Sequence, residues 1–511
     1  MLEVEYYDAS VNMSVRGSEL LTEIMDTTTP LVDLLVRESI QNSLDASKSR
    51  TYGSKVSVSY IVGEFQTSDL SCQLEGISDK LNSMYKGDQV YIAIRDKGTW
   101  GLTGKMNKED LCDDEDQGNL LKLVYDIRKS KTNQDDTGGS WGLGKTIYNR
   151  IGNGLVFYYS RIYNEDIKDY QSRLAGVLIE DQDSKSAILP RYHNAKGGIA
   201  WWGKKIRINK TIPITDEKII GKFLNIFGLN SFYGSETGTL VIIPFINEEN
   251  LLNSAKSWFD NLDEEDSVYS VKLEDCNWLY SLEDYFEIAV QRWYYPRLNN
   301  LYYKYGSYLT VDINGDAISD KDIKPLFKLQ QALYNRAAYN GKMPYKYKDF
   351  ISDNPYFISG NHDKTKNTFG LDPVGYKTAR ILTDPRIGSI AYAKVNKRIL
   401  GMLPPQNQSN PYALLQLNKA EENSPIVAFC RKPGMIVWFA NGDDFMKKVG
   451  FSEGDEYIIA QFVLNSDNTV KSFDMTLEKY IRATEKGSHR TWDDDNSHIV
   501  DKLKNKTAEK L

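Results

Sequence analysis

One segment near the N-terminus constrains this chain more than any other: Thr29-Pro30-Leu31-Val32-Asp33-Leu34-Leu35-Val36-Arg37-Glu38-Ser39-Ile40-Gln41-Asn42-Ser43-Leu44-Asp45-Ala46. Thr29 suits an N-cap and Pro30 the first helical position, so a helix is predicted to start there. On a helical wheel Glu38, Asn42 and Asp45 share one narrow stripe, spaced i, i+4, i+7. That stripe continues the line of Leu31 and Leu34, the side expected to face the core. Asp33, Arg37, Gln41 and Lys48 are expected on the exposed face. Two carboxylates and an amide turned inward are costly unless they bind something or meet water in a cleft.

Such a helix needs a sheet to lie on, and the flanking sequence offers one. Strand-like runs rich in β-branched and aromatic residues occur at Val56–Val62, Val90–Ile94, Leu155–Tyr159 and Leu240–Pro244. An acidic, mostly polar stretch from Asn247 to Asp266 follows and is the expected domain boundary. Beyond it the spacing of Tyr285, Ile288, Ala289 and Trp293 predicts a helix over 282–297, ending near Pro296. Further strands are expected at Tyr308–Ile313, Ile390–Ala393, Met435–Phe439 and Tyr457–Phe462. The expectation is therefore an α+β chain of two domains, 1–250 and 270–492, with a charged tail over 493–511 that is frayed or helical. A length of 511 residues has room for both.

With 63 Lys and Arg against 70 Asp and Glu, the net charge of −7 disfavours non-specific nucleic-acid binding by the whole surface. A local basic groove remains open. No apolar run approaches the roughly 18 residues of a membrane span. Met1–Glu5 lacks the basic and apolar regions of a signal peptide. Cys72, Cys112, Cys276 and Cys430 lie too far apart for a metal-ligand pattern or disulfide framework, and a cytoplasmic setting is expected.

Two further segments carry chemistry. In Tyr91-Ile92-Ala93-Ile94-Arg95-Asp96-Lys97-Gly98-Thr99-Trp100-Gly101, a strand runs into a carboxylate and then glycines. The carboxylate can accept a hydrogen bond from an exocyclic amine, and glycine lets the backbone approach a flat ligand. It can also be a plain turn. The run Gly139-Ser140-Trp141-Gly142-Leu143-Gly144-Lys145-Thr146 satisfies the Walker A spacing. A P-loop follows a buried strand, however, and the polar residues Lys129–Asp136 cannot form one.

The ordered set Glu38-x-x-x-Asn42-x-x-Asp45-Ala46, strand-Asp96-x-Gly98, a polar stretch, Gly142-Leu143-Gly144-Lys145 and then Gly238-Thr239 on a strand resembles the GHKL (Bergerat-fold) ATPases. That superfamily includes gyrase B, MutL, heat-shock ATPase chaperones, MORC proteins and sensor histidine kinases. The resemblance spans about Leu31 to Pro244, and the Gly-Leu-Gly-Lys ending looks closest to the MutL and MORC branches. It implies an N-terminal α/β sandwich that binds ATP and Mg²⁺, followed by a transducer-like α+β domain. By the same resemblance Glu38 would be the general base, Asn42 would bind Mg²⁺ and Asp45 would hold the nucleotide through water. Asp96 would read the adenine amine, Gly98 would make room for the base, and Thr239 would meet the adenine edge. Gly142, Leu143, Gly144 and Lys145 would wrap the phosphates, closing a lid of about 104–137. The family pattern is Asp-x-Gly-x-Gly; the extra residue here leaves Gly101 without an assigned role.

The histidines (His193, His362, His489, His498) all follow Glu38, which argues against a sensor kinase, and the MutL endonuclease signature Asp-Gln-His-Ala is absent. The resemblance implies a homodimer formed on ATP binding and partner proteins of a shared pathway. It points to a clamp or switch in DNA-linked work such as repair or defence against phage, with no membrane. A nucleotide-dependent scaffold and a chaperone-like module are the alternatives. The resemblance implies a second-domain cation that reaches the γ-phosphate; Arg431–Met435 and Lys394–Arg398 are the candidate loops, and each reads more readily as a surface turn with basic residues. Trp201-Trp202-Gly203-Lys204-Lys205-Ile206-Arg207-Ile208-Asn209-Lys210 is either a nucleic-acid surface or an amphipathic strand. Glu485–Trp492 reads as a latch or partner contact.

Overall fold

The computed structural model describes residues 1–7, 17–22, 29–111, 117–125, 146–190, 197–260, 276–339, 375–380, 386–396, 400–401, 410–417, 425–431, 434–440, 456–467, 469–470, 475–478 and 481. The fold is α+β. Among these residues ten strands form one sheet, in chain order β1 (Glu3–Tyr6), β2 (Lys55–Gln66), β3 (Asp88–Lys97), β4 (Leu155–Asn164), β5 (Asp169–Ile179), β6 (Ile199–Arg207), β7 (Lys210–Ile212), β8 (Gly238–Ile246), β9 (Tyr308–Ile313) and β10 (Asp316–Ala317). Their spatial order is β1-β6-β5-β4-β8-β3-β2-β9-β10, with β7 paired to β6. All pairs are antiparallel except β2 with β9.

Helices cover both faces of this sheet and also pack on a second one. They are α1 (Gly17–Thr22), α2 (Leu31–Asp45), α3 (Thr67–Ser71), α4 (Ser78–Met84), α5 (Gly118–Leu120), α6 (Thr146–Ile151), α7 (Glu217–Asn225), α8 (Glu248–Asp260), α9 (Leu282–Tyr294), α10 (Pro325–Ala338) and α11 (Pro411–Leu415). Val156 and Tyr158 of β4 share a core with α2, α6 and α9, whereas Leu155, Phe157 and Tyr159 share one with α4 and α7. The continuous apolar run of β4 therefore follows from burial on both faces, since successive side chains alternate. Local signals set several helix starts: Asp216 accepts from the N–H groups of Lys218 and Ile219 at 2.8 and 3.2 Å, and Ser281 accepts from Asp284 N–H at 3.1 Å.

A second sheet has the order β11-β12-β15-β13-β14, from β11 (Gly375–Arg380), β12 (Arg386–Asn396), β13 (Ile426–Cys430), β14 (Ile436–Ala440) and β15 (Glu456–Leu464). Helix α9 joins the two sheets. Nearly every residue from Leu282 to Tyr294 is buried, as expected of a helix covered on all sides.

Several expectations are revised. Helix α2 begins at Leu31 with Pro30 in the cap position and no side-chain cap, so Thr29 does not cap it. The acidic stretch after Pro244 contains α8, whose Leu251 and Ala255 are buried one turn apart. Strand β9 lies beyond that stretch yet pairs with β2, Ser57 facing Thr310, so the first sheet draws chain from both sides of it. The tail over 493–511 and Glu485–Trp492 lie outside the described residues.

The largest revision concerns the supposedly exposed face of α2. Asp33 is fully buried and Arg37 is 4% exposed. The Asp33 carboxylate accepts from Tyr285 Oη at 2.6 Å, Arg292 Nη1 at 2.5 Å and Trp293 Nε1 at 2.6 Å, all on α9. Arg37 Nη1 donates to the Ile436 carbonyl of β14 at 2.8 Å, and the guanidinium lies 4.2 Å from the Trp293 ring centroid. These charges are buried because α9 brings partners for them. Replacing Asp33 with Ala leaves Arg292 Nη1, Tyr285 Oη and Trp293 Nε1 without their carboxylate acceptor, and should lower unfolding free energy by about 3–5 kcal/mol in denaturant titration.

Candidate functional site

With one flank of α2 fixed on α9, the Glu38–Asn42 flank is only half-buried. Asn42 Nδ2 donates to Glu38 Oε1 at 3.1 Å, an i, i+4 contact along the helix. It also donates to Tyr148 Oη at 3.3 Å. Tyr148 belongs to α6, is 3% exposed, and packs edge-on against Tyr158 of β4 with ring centroids 6.3 Å apart. Burial, reinforced by the nearby Glu38 charge, raises the Tyr148 hydroxyl well above the ordinary phenol range, so it stays protonated. Both amide protons of Asn42 are thus engaged. Its Oδ1 has no hydrogen-bond donor among the described residues.

Asp45 departs from the expected stripe. Its side chain is exposed and accepts from Gln41 Nε2 at 2.9 Å. A helical period of 3.6 residues rotates position i+7 slightly past position i, and here the helix ends at Asp45.

The second half of the site lies at the end of β3. Asp96 is 8% exposed and accepts three hydrogen bonds. Oδ1 takes Thr99 Oγ1 at 2.5 Å and the Thr239 backbone N–H at 2.9 Å, and Oδ2 takes Ser43 Oγ at 3.3 Å. Thr239 is the second residue of β8, which runs antiparallel to β3, so the end of one strand meets the start of the other. Gly238 permits this approach: a Cβ there would sit 2.2 Å from the Asp96 carbonyl oxygen. Burial raises the Asp96 carboxyl from 3.8 to about 6, against the opposing pull of its three donors.

Gly98 has φ of +83° and Gly101 of +70°, the left-handed region that glycine enters without strain. A Cβ on Gly101 would lie 2.5 Å from Ser160 Oγ and 2.9 Å from the Gly238 carbonyl oxygen. Gly101 therefore lets the loop after β3 close onto β4 and β8, a packing role. Trp100, the residue that lengthens this motif, is 53% exposed, with Lys48 Nζ 5.7 Å from its ring centroid.

Glu38, Asn42, Asp96 and Thr239 are thus gathered around α2 and the β3–β8 strand ends. Gly142, Leu143, Gly144 and Lys145 lie outside the described residues; α6 starts at the next position, Thr146. Within the expected lid, 104–111 and 117–125 are described and form short helical turns. Ser43, Thr99 and Tyr148 belong to the site but were not expected there. Thr99 carries a faint signal, standing three residues after an aspartate at a turn; Tyr148 reads as core beside Ile147 and Ile151.

Two other candidate surfaces change character. Arg431 is 4% exposed and pairs with Glu478 at 2.7 Å, and the Lys394 side chain and 397–399 lie outside the described residues. Trp201 and Trp202 are 6% and 0% exposed, with indole N–H groups donating to the carbonyls of Val124 and Glu75. They occupy opposite faces of β6 and neither can stack on a base, which leaves the strand reading and a hairpin of basic residues. No described helix is long and apolar enough to cross a membrane.

Magnesium binds through one or two side-chain oxygens plus substrate phosphates and water. Among the described residues no cluster of three or more His, Cys, Asp or Glu side chains is placed to hold a metal. Asn42 Oδ1, which has no donor among the described residues and lies beside the Glu38 carboxylate, fits the smaller demand of magnesium.

No protein-family model matches the chain, and no curated protein matches it. Among solved structures it is similar to the ATPase region of Saccharomyces cerevisiae topoisomerase II. The form bound to ICRF-187 (dexrazoxane) is 8% identical, with a TM-score of 0.33 over 90% of this chain and 83% of that chain. A second structure of that region is 9% identical, with a TM-score of 0.32 over 90% and 82%. Likeness at this level assigns neither family nor activity.

The raised Asp96 carboxyl has a measurable consequence. The folded state holds this proton more tightly than the unfolded chain, so the stabilisation is full below the unfolded value of 3.8 and is lost as pH rises to about 6. Relative to Asp96→Asn, which cannot titrate, the wild-type protein should lose roughly 2–3 kcal/mol across that window in chemical unfolding at stepped pH.

Proposed function

We propose that this chain is a magnesium-dependent ATP hydrolase of the GHKL type. The observation that carries the reading is that one helix serves two chemically distinct clusters. Asn42 meets Glu38 and Tyr148, while its neighbour Ser43 meets the buried carboxylate of Asp96. A purine amine is a donor, and Asp96 Oδ2, with one long hydrogen bond, has capacity for another. In this reading Asp96 selects adenine, Gly98 gives the base room, and Thr239 meets the adenine edge while its N–H fixes Asp96.

Glu38 would draw the proton from an attacking water, as a carboxylate within hydrogen-bond reach can. Asn42 Oδ1 would hold Mg²⁺, which supplies charge neutralisation for the phosphates when bound. Asp45 would act on the nucleotide only through water, in keeping with its exposure. Gly142, Leu143, Gly144 and Lys145 would cradle the phosphates with backbone N–H groups and one cation.

Lid closure over about 104–137 and ATP-driven homodimerisation would turn binding into a clamp or switch. The MutL and MORC branches point that switch toward a DNA-linked process such as repair or defence against foreign DNA, with partner proteins of the same pathway. With Trp201 and Trp202 buried, any DNA contact at this hairpin rests on Lys204, Lys205, Arg207 and Lys210. The two-domain organisation would serve the switch, since α2 touches α9 and β14 directly through Asp33 and Arg37.

Two measurements test this. Glu38→Ala should bind ATP with affinity near wild type while hydrolysing it about 10²–10⁴-fold more slowly. Loss of ATP binding, or full turnover, sinks the assignment. Because the ionised carboxylate is the stronger acceptor for the adenine amine, wild-type ATP affinity should fall as pH drops below about 6, by up to tenfold per pH unit. Asp96→Ala should abolish ATP binding in calorimetry.

A further inference from the structure

We propose that Tyr148 is a positioning residue for the metal ligand: its hydroxyl takes the second amide proton of Asn42 and thereby holds the amide oxygen outward, toward the ion. The inference rests on the Mg–ATP reading and adds a residue to it.

An asparagine side chain has two nearly isosteric ends, one an acceptor and one a double donor. Only the oxygen end can ligate Mg²⁺; turned over, the amide would present N–H groups to a cation. A single hydrogen bond to Glu38 at 3.1 Å engages one Nδ2 proton and leaves the other without a fixed partner. Tyr148 Oη, 3.3 Å from the same nitrogen, engages it. Two acceptors from two different helices now face Nδ2, and turning the amide would set its oxygen against the Glu38 carboxylate.

Tyr148 is itself held. Its ring is 3% exposed and braced against Tyr158, which lies in the sheet between the two cores. The hydroxyl therefore cannot swing away without moving α6 on β4.

The test is calorimetric titration of the full-length protein with a non-hydrolysable ATP analogue, once with Mg²⁺ and once with EDTA, for wild type, Tyr148→Phe, Asn42→Asp and the double variant. Phenylalanine keeps the ring and removes only the hydroxyl that accepts from Asn42. Tyr148→Phe should lose about tenfold in affinity with Mg²⁺, the scale of one hydrogen bond, and nothing in EDTA. In the Asn42→Asp background both terminal atoms are oxygens, no orientation is needed, and Tyr148→Phe should have no further effect. Unchanged Mg²⁺-dependent affinity in Tyr148→Phe overturns the proposal, as does an equal loss in EDTA, the mark of a packing role. A tenfold loss that persists beside Asn42→Asp overturns it too. Failure of the wild type to bind the analogue even with Mg²⁺ overturns the Mg–ATP reading itself, and this inference with it.

Discussion

The rest of the structure depends on a fully buried carboxylate. Asp33 sits in the first turn of α2 and is satisfied by three donors from α9, a phenol, a guanidinium and an indole. A buried ion pair is weak evidence for stability, since desolvation offsets much of the attraction. What such a pair does well is specify geometry. It fixes the rotation of α2 about its axis, and that rotation decides which residues face α6 and the strand ends. With Asp33 and Arg37 turned to α9 and β14, the Glu38–Asn42 flank can only lie toward α6 and the strand ends.

The site inherits its order from this arrangement. Ser43 and Asn42 are adjacent in sequence but leave the helix about 100° apart, so one reaches Asp96 and the other Tyr148. Beneath them Gly238 and Gly101 remove side chains where strand ends and loop approach within van der Waals distance. Two glycines, one serine and a helix rotation suffice to bring an acid, an amide, a phenol and a second, separately placed acid together around α2.

Much of this was legible in the sequence. Strands β2, β3, β4, β8 and β9 follow from runs of β-branched and aromatic residues, and α9 from its period and the nearby Pro296. Glu38, Asn42 and Asp96 stood out because a carboxylate or amide in line with core leucines, or at a strand end before glycine, has few ordinary explanations. The burial of Asp33 and Arg37 was not legible. A charge on a helix face reads as solvated until a partner is supplied, and here the partner lies more than two hundred residues further on. Ser43, Thr99 and Tyr148 were missed for a different reason. Their hydroxyls matter through one hydrogen bond each, and a wheel or a period cannot distinguish such a group from packing. Trp201 and Trp202 misled because adjacent aromatics beside lysines suggest stacking, whereas in a strand covered on both faces each ring enters its own core.

The parallel pairing of β2 with β9 has a consequence for how the chain comes into being. Ser57 and Thr310 share a hydrogen bond across 253 positions of sequence. At the roughly 5–20 residues per second of protein synthesis, β2 leaves the ribosome some 10–50 seconds before its neighbour exists. Through that interval its outer edge presents open backbone donors and acceptors, the kind of edge that recruits strangers. Ser57, Ser59 and the lysine that opens the strand, Lys55, line that edge with polar groups, which suits a nascent strand obliged to wait.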